Sequence, residues 1–121
     1  VPIFSSFDTE DDAGKIYFYD VLGAQFESVD FCTTGSGSPA IRGALYFQNR
    51  WGGEQLAKMD ETTSLTLILK MLETAAEFDT ATGGFRKSAR IFPQVMRITG
   101  TGIESIDEAE LEHLYREQLQ I

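Results

Sequence analysis

Cysteine is all but missing from this 121-residue chain: Cys32 stands alone, so no internal disulfide can form, and with a single histidine there is no Cys/His cluster for a structural zinc site. A reducing, cytoplasmic setting is the expectation, with no metal and no cofactor. Basic residues are scarce too, 10 Lys and Arg against 19 Asp and Glu, and the net charge is −9. A surface of that sign repels a phosphate backbone, so nucleic acid is not an expected partner. No apolar run approaches the ~18 residues of a membrane-crossing helix, and the start of the chain lacks the basic-then-apolar pattern of a secretory signal. No membrane association is expected. The chain opens on Val1 rather than methionine, inside the strand-like "VPIF", and is read as a processed or truncated product.

What is present argues for a packed domain. A hydrophobic share of 42% and an aromatic share of 12% exclude disorder and allow one domain, residues 1–121, with a modest core. "VPIFSSF", "KIYFYD" and "QFESVDFCTT", separated by turn signals, predict a three-strand meander. "GSGSP" ends the third strand, and Ser38 with Pro39 has the form of an N-cap followed by a first-turn proline, opening a helix from Pro39 to about Gln48. Asp60 caps a longer helix from Glu61 to about Phe78, in which Leu65, Ile68, Leu69, Leu72, Ala75 and Ala76 share a stripe that Leu67 and Met71 widen. A hairpin turning at "GTG" follows, and Asp107 with Glu110 starts a last helix carrying Leu111, Leu114, Tyr115 and Leu119 on one face. The order is βββααββα, an α+β domain whose five strands leave at least one sheet edge open.

Most chemistry-bearing residues have an ordinary explanation. His113 lies among Glu110, Glu112 and Glu117 and reads as a solvated helix-surface residue rather than part of a dyad with Cys32. The acidic run at residues 8–12 lacks the alternating ligands and glycine of a calcium loop and reads as a solvated turn. "TTGSGSP" admits two readings. One is a structural strand-to-helix turn; the other is an anion cradle at the positive end of the following helix, although the phosphate-loop lysine and the dinucleotide third glycine are both missing.

"FDTATGGF", residues 78–85, is more specific. An aspartate closes an apolar helix, where the negative end of the dipole disfavours it by roughly 0.3–1 kcal/mol unless a cation or donors compensate. Asp79 and Thr82, three apart across the helix end, can turn toward one point, and Gly83 and Gly84 permit close backbone approach. The plain alternative is a helix C-terminus with glycine just past it.

Taken together, "TTGSGSPAIRGAL" and "DTATGGFRKSARIFP" resemble the β-type subunits of 20S proteasomes, the actinobacterial ones most closely, and the likeness extends through "VPIFSSFD", "GKIYFYDVLGAQFES" and the final hairpin and helix. The resemblance implies the four-layer αββα sandwich of the N-terminal-nucleophile hydrolases, here its C-terminal portion only. It implies threonine-type endopeptidase chemistry in a proteasome-like particle of an ATP-dependent degradation pathway, with α-type and β-type subunits in stacked rings and unfolded protein or peptide as substrate. The family's threonine nucleophile, acid and lysine belong to the N-terminal half, which is expected to be absent, so this chain alone is expected to be inactive.

By motif position Ser36 matches the family's serine near the nucleophile's terminal amine. Asp79 and Thr82 match the acid and hydroxyl that orient that amine and its water. The amine, or the missing lysine, would then supply the cation for Asp79, with Arg86 a local substitute. The other reading is a non-catalytic assembly subunit or structural module, against which the intact "DTATGG" stands. Leu67, Met71, Phe47 and Trp51 fall outside the main helical stripes and are expected to meet another subunit, where the resemblance places the junction of two β-rings, or else the absent half.

Overall fold

The computed structural model describes residues 2–19, 22–23, 25–28, 30–79, 83–85 and 91–121. Strands β1 (Ile3–Asp8), β2 (Ala13–Tyr19) and β3 (Gln25–Ser28) form an antiparallel meander with β2 in the centre. Ile3 stands opposite Phe18 and Asp8 opposite Ala13, while Ile16 pairs with Ser28. The β1–β2 connection is an exposed acidic turn: the Asp8 carboxylate accepts from the backbone N–H groups of Glu10 and Asp11 at 2.9 and 3.2 Å. This local capping is the aspartate turn chemistry that competes with regular structure.

The third strand is shorter than expected. It ends at Ser28, and residues 31–34, expected to continue it, leave the sheet toward helix α1 (Ser38–Trp51). Contacts with that helix hold them there: Phe31 meets Tyr46 edge-on at 5.0 Å, and Asp30 accepts from Asn49 Nδ2 at 3.0 Å.

Helix α1 also starts differently from expectation. Gly37 is its N-cap, Ser38 is the first helical residue, and no side chain caps the end. The Ser38 hydroxyl is buried instead, within 2.6 Å of Thr33 Oγ1 and accepting from Arg42 Nη2 at 3.0 Å. A partnered, buried hydroxyl outweighs the cap it forgoes.

Helix α2 (Glu61–Phe78) follows the sequence closely: Asp60 caps it, accepting from Thr63 N at 2.8 Å. Hairpin strands β4 (Met96–Thr99) and β5 (Gly102–Ser105) then lead to helix α3 (Glu108–Leu114), capped by Asp107 through Glu110 N at 2.8 Å, and a π-helical turn over Tyr115–Leu119. Of the hairpin glycines, Gly102 takes the positive φ of 129°. Gly100 is needed for another reason, because a Cβ there would stand 3.2 Å from the Phe7 ring of β1.

One face of α2 builds the core. Leu65 and Leu69 pack with Ile106, Leu111, Leu114 and Tyr115, ringed by Phe85, Phe92, Val95 and Leu119. Arg97 of β4 ties the hairpin to the start of α2 by ion-pairing with Glu61, and also with Glu104 at 3.1 Å. The other face of α2, with Leu67, Ile68 and Met71, borders a cavity of about 360 Å³ shared with α1 and Ile16 of β2. Leu67 and Met71 are thus half-buried, whereas Phe47 and Trp51 on α1 are each 67% exposed. Two helices between a meander and a hairpin give the expected α+β order, βββααββα. No helix among the described residues is long and apolar enough to cross a membrane.

Candidate functional site

The loop before α1 and the end of α2 meet. In the first, Ser38 N donates to Gly35 O at 3.1 Å, closing a tight turn in which Gly35 has φ 95°, a conformation that glycine adopts without a Cβ clash. That turn presents Ser36 outward, and the buried Thr33–Ser38–Arg42 hydrogen bonds fix its base. In the second, Asp79 is the C-cap of α2, its N–H donating to Ala75 O at 2.9 Å and its backbone extended (φ −136°, ψ 110°). No left-handed glycine ends this helix; the first glycine, Gly83, comes four residues later.

Ser36 donates its hydroxyl hydrogen bond to Asp79 Oδ2, across 43 residues of sequence. The bond answers what holds an acid at the wrong pole of a helix. Ser36 stands two residues before α1, so the half-buried carboxylate that α2 disfavours is brought to the positive end of α1. Of the two readings of "TTGSGSP", the turn is present, and the anion beside it is the chain's own Asp79. Such a carboxylate, held by a hydroxyl, has the chemistry to orient an ammonium group or to accept a proton.

Of the three residues singled out from sequence, the structure brings Ser36 and Asp79 together. Thr82 and Arg86 lie outside the described residues. His113 is exposed on α3, with Nδ1 3.3 Å from Arg116 Nη2, and stands apart from this site. Cys32 is half-buried at the cavity between α1 and α2.

The sequence did not single out Glu73. Its Oε1 accepts from Phe85 N at 2.7 Å, pinning the chain that returns after the Gly83–Gly84 pair. Gly84 owes its identity to the same carboxylate, since a Cβ would stand 3.2 Å from Glu73 Oε2 and 3.4 Å from Ala76 Cβ. The close approach expected of the double glycine is therefore made to α2, and by Gly84 alone.

No model of a known protein family matches the chain. Individual proteins do. It is 37% identical over 116 residues to proteasome subunit beta 2 of Thermomonospora curvata, 35% identical over 122 residues to proteasome subunit beta of Streptomyces griseus, and 39% identical over 123 residues to proteasome subunit beta 1 of Streptomyces avermitilis. These alignments cover 94–99% of this chain but 39–41% of those proteins, so the chain spans about two fifths of the length of its relatives. The α+β arrangement is accordingly a partial, C-terminal portion of the N-terminal-nucleophile hydrolase fold. The chain belongs to the proteasome β-type family, and corresponds to the C-terminal part of its members.

Proposed function

We propose that the chain is the C-terminal part of a proteasome β-type subunit and that Ser36 and Asp79 support the nucleophile of a threonine-type endopeptidase. The observation that carries this reading is the Ser36–Asp79 hydrogen bond, on a chain similar along its length to proteasome β subunits. In this reading residues outside the 121 supply an N-terminal threonine. Its hydroxyl attacks the peptide carbonyl, and its own amine, with nearby groups, takes the hydroxyl proton.

The part of Ser36 and Asp79 is electrostatic and geometric. A carboxylate already oriented by a hydroxyl binds the ammonium form of the terminal amine and keeps its lone pair aimed when the proton leaves. Thr82 adds a hydroxyl for the amine or its water. The partners are other β-type and α-type subunits stacked in rings, the substrates are unfolded proteins or peptides delivered by an ATP-dependent pathway, and the setting is the cytoplasm.

The 121-residue chain alone is expected to be inactive, because the carboxylate and hydroxyls have nothing to activate. Hydrolysis of a fluorogenic peptide tests this. The complete subunit, assembled, turns over the peptide and the purified 121-residue chain does not. Turnover by the isolated chain that disappears in Asp79→Ala contradicts the assignment of the nucleophile to residues outside it.

A further inference from the structure

Ser38 has the type and place of a helix cap, yet its hydroxyl caps nothing and is only 6% exposed. It sits at the base of the turn that carries Ser36. Thr33, five residues back, places its Oγ1 2.6 Å from the Ser38 hydroxyl; Arg42, one helical turn on, donates to the same oxygen through Nη2 at 3.0 Å. A charged donor on its oxygen polarises the Ser38 hydroxyl toward donating to Thr33, and hydrogen bonds linked in this way reinforce one another.

The turn is thereby closed twice. Its backbone closes where Ser38 N donates to Gly35 O at 3.1 Å, and its flanks close through the side chains of Thr33 and Ser38. Both flanks are themselves fixed. Ser38 belongs to α1, and the chain leading to Thr33 lies on the same helix, held by the Asp30–Asn49 hydrogen bond and the Phe31 ring on Tyr46. Ser36 between them is exposed and has little packing to orient it. Gly35 and Gly37 flank it, and glycine leaves a backbone freer than any other residue does. Fixing so loose a segment costs conformational entropy, and a side-chain clamp across its ends is what offsets that cost.

We propose that Ser38 is a positioning residue for the reaction described above: by tying Thr33 across the turn, its buried hydroxyl holds Ser36 in line with the Asp79 carboxylate. This rests on the reading that Asp79 supports the nucleophile. Ser38 acts through Ser36 rather than on the reacting atoms, and the hydroxyl pair of Thr33 and Ser38 is the working element.

The test uses the complete subunit in its assembled particle, with peptide hydrolysis as the readout. The variants are Ser38→Ala, Thr33→Val, Thr33→Ser, Ser36→Ala and Asp79→Ala, with Ser38→Ala made also in the Ser36→Ala background. Opening the clamp lets Ser36 drift off Asp79, so Ser38→Ala and Thr33→Val each lower kcat about three- to tenfold with KM within about twofold. Thr33→Ser keeps the hydroxyl and stays within about twofold of the parent. In the Ser36→Ala background no hydroxyl is left to position, and adding Ser38→Ala lowers kcat by less than about twofold.

If Asp79→Ala lowers kcat while Ser38→Ala leaves it unchanged, the positioning role is overturned and the functional reading stands. If Asp79→Ala itself leaves kcat unchanged, the functional reading fails and takes this inference with it. An equal loss from Ser38→Ala with and without Ser36 also overturns the role, because a hydroxyl that only stabilises the fold acts alike in both backgrounds. Should Ser38→Ala not assemble, Thr33→Val opens the same clamp from the other side. A loss of kcat in the parent and not in the Ser36→Ala background then supports the role, and equal losses, or none, overturn it.

Discussion

Ser36, on the turn before α1, donates its hydroxyl hydrogen bond to Asp79, the residue that closes α2. The two helix ends have opposite polarity, and the shared carboxylate lies between them. Removing the hydroxyl leaves Asp79 with one donor fewer and a less defined orientation. In the complete subunit Ser36→Ala is expected to lower kcat by about ten- to a hundredfold, the loss of one hydrogen bond to a charged group. Since Ser36 is exposed, the midpoint of urea unfolding should hardly move. Paired kinetics and urea titration check both halves.

Leu69 is fully buried at the centre of the cluster that joins α2 to α3 and the hairpin. Truncation removes that contact and leaves a cavity the rigid helices fill only in part. Leu69→Ala is expected to destabilise the chain by about 2–5 kcal/mol. Ile103, 67% exposed on β5, provides the contrast, and Ile103→Ala should fall within about 0.5 kcal/mol of the parent. Chemical denaturation followed by circular dichroism measures both.

Tyr115 should make the core sensitive to alkali. Burial, and secondly the charge of Glu73, push its phenol up to about 12. The neutral form is the one the fold holds. Its contribution to stability is therefore fully present below about pH 10, the ordinary phenol value, and is lost as pH rises through the folded value near 12. Absorbance at the tyrosinate band and helical ellipticity, followed together, should show the last phenol ionising as helix is lost. Tyr115→Phe, which keeps the ring on Phe85, should remove that coupling.

At the acid end the cap of α2 is the sensor. Hydrogen bonds from Thr63, backbone first and then side chain, hold the Asp60 carboxyl below its ordinary value. The ionised cap thus stabilises the helix above the ordinary carboxylate range and stops doing so as pH falls through the lowered value. The difference in stability between parent and Asp60→Ala should shrink as pH drops below about 4. Thermal melts of both proteins across that range measure it.

Much of the architecture was legible because its signals are local. Asp60 and Asp107 announce helix starts by a carboxylate three residues from an N–H, and the stripe through Leu65 and Leu69 marks the buried face of α2. The start of α1 misled for a physical reason: Ser38 has the right type and place for a cap, but Thr33 and Arg42, whose partnership depends on the fold, claim its hydroxyl. The same holds for the end of β3, where contacts with Tyr46 and Asn49 draw the chain off the sheet. At the site, Asp79 stood out by its unfavourable place on a helix and Ser36 only through the resemblance. Glu73 was invisible, since a glutamate on an amphipathic helix is ordinary until the chain folds back onto it.

The most direct test of the account is the peptide-hydrolysis rate of the complete, assembled subunit carrying Asp79→Asn. The amide keeps the shape of the side chain and can still accept from Ser36, but it lacks the charge that would orient an ammonium group. The account predicts a kcat at least about a hundredfold below the parent, at unchanged assembly and melting temperature. A variant with parental kcat would contradict it and leave Asp79 as the residue that ends α2.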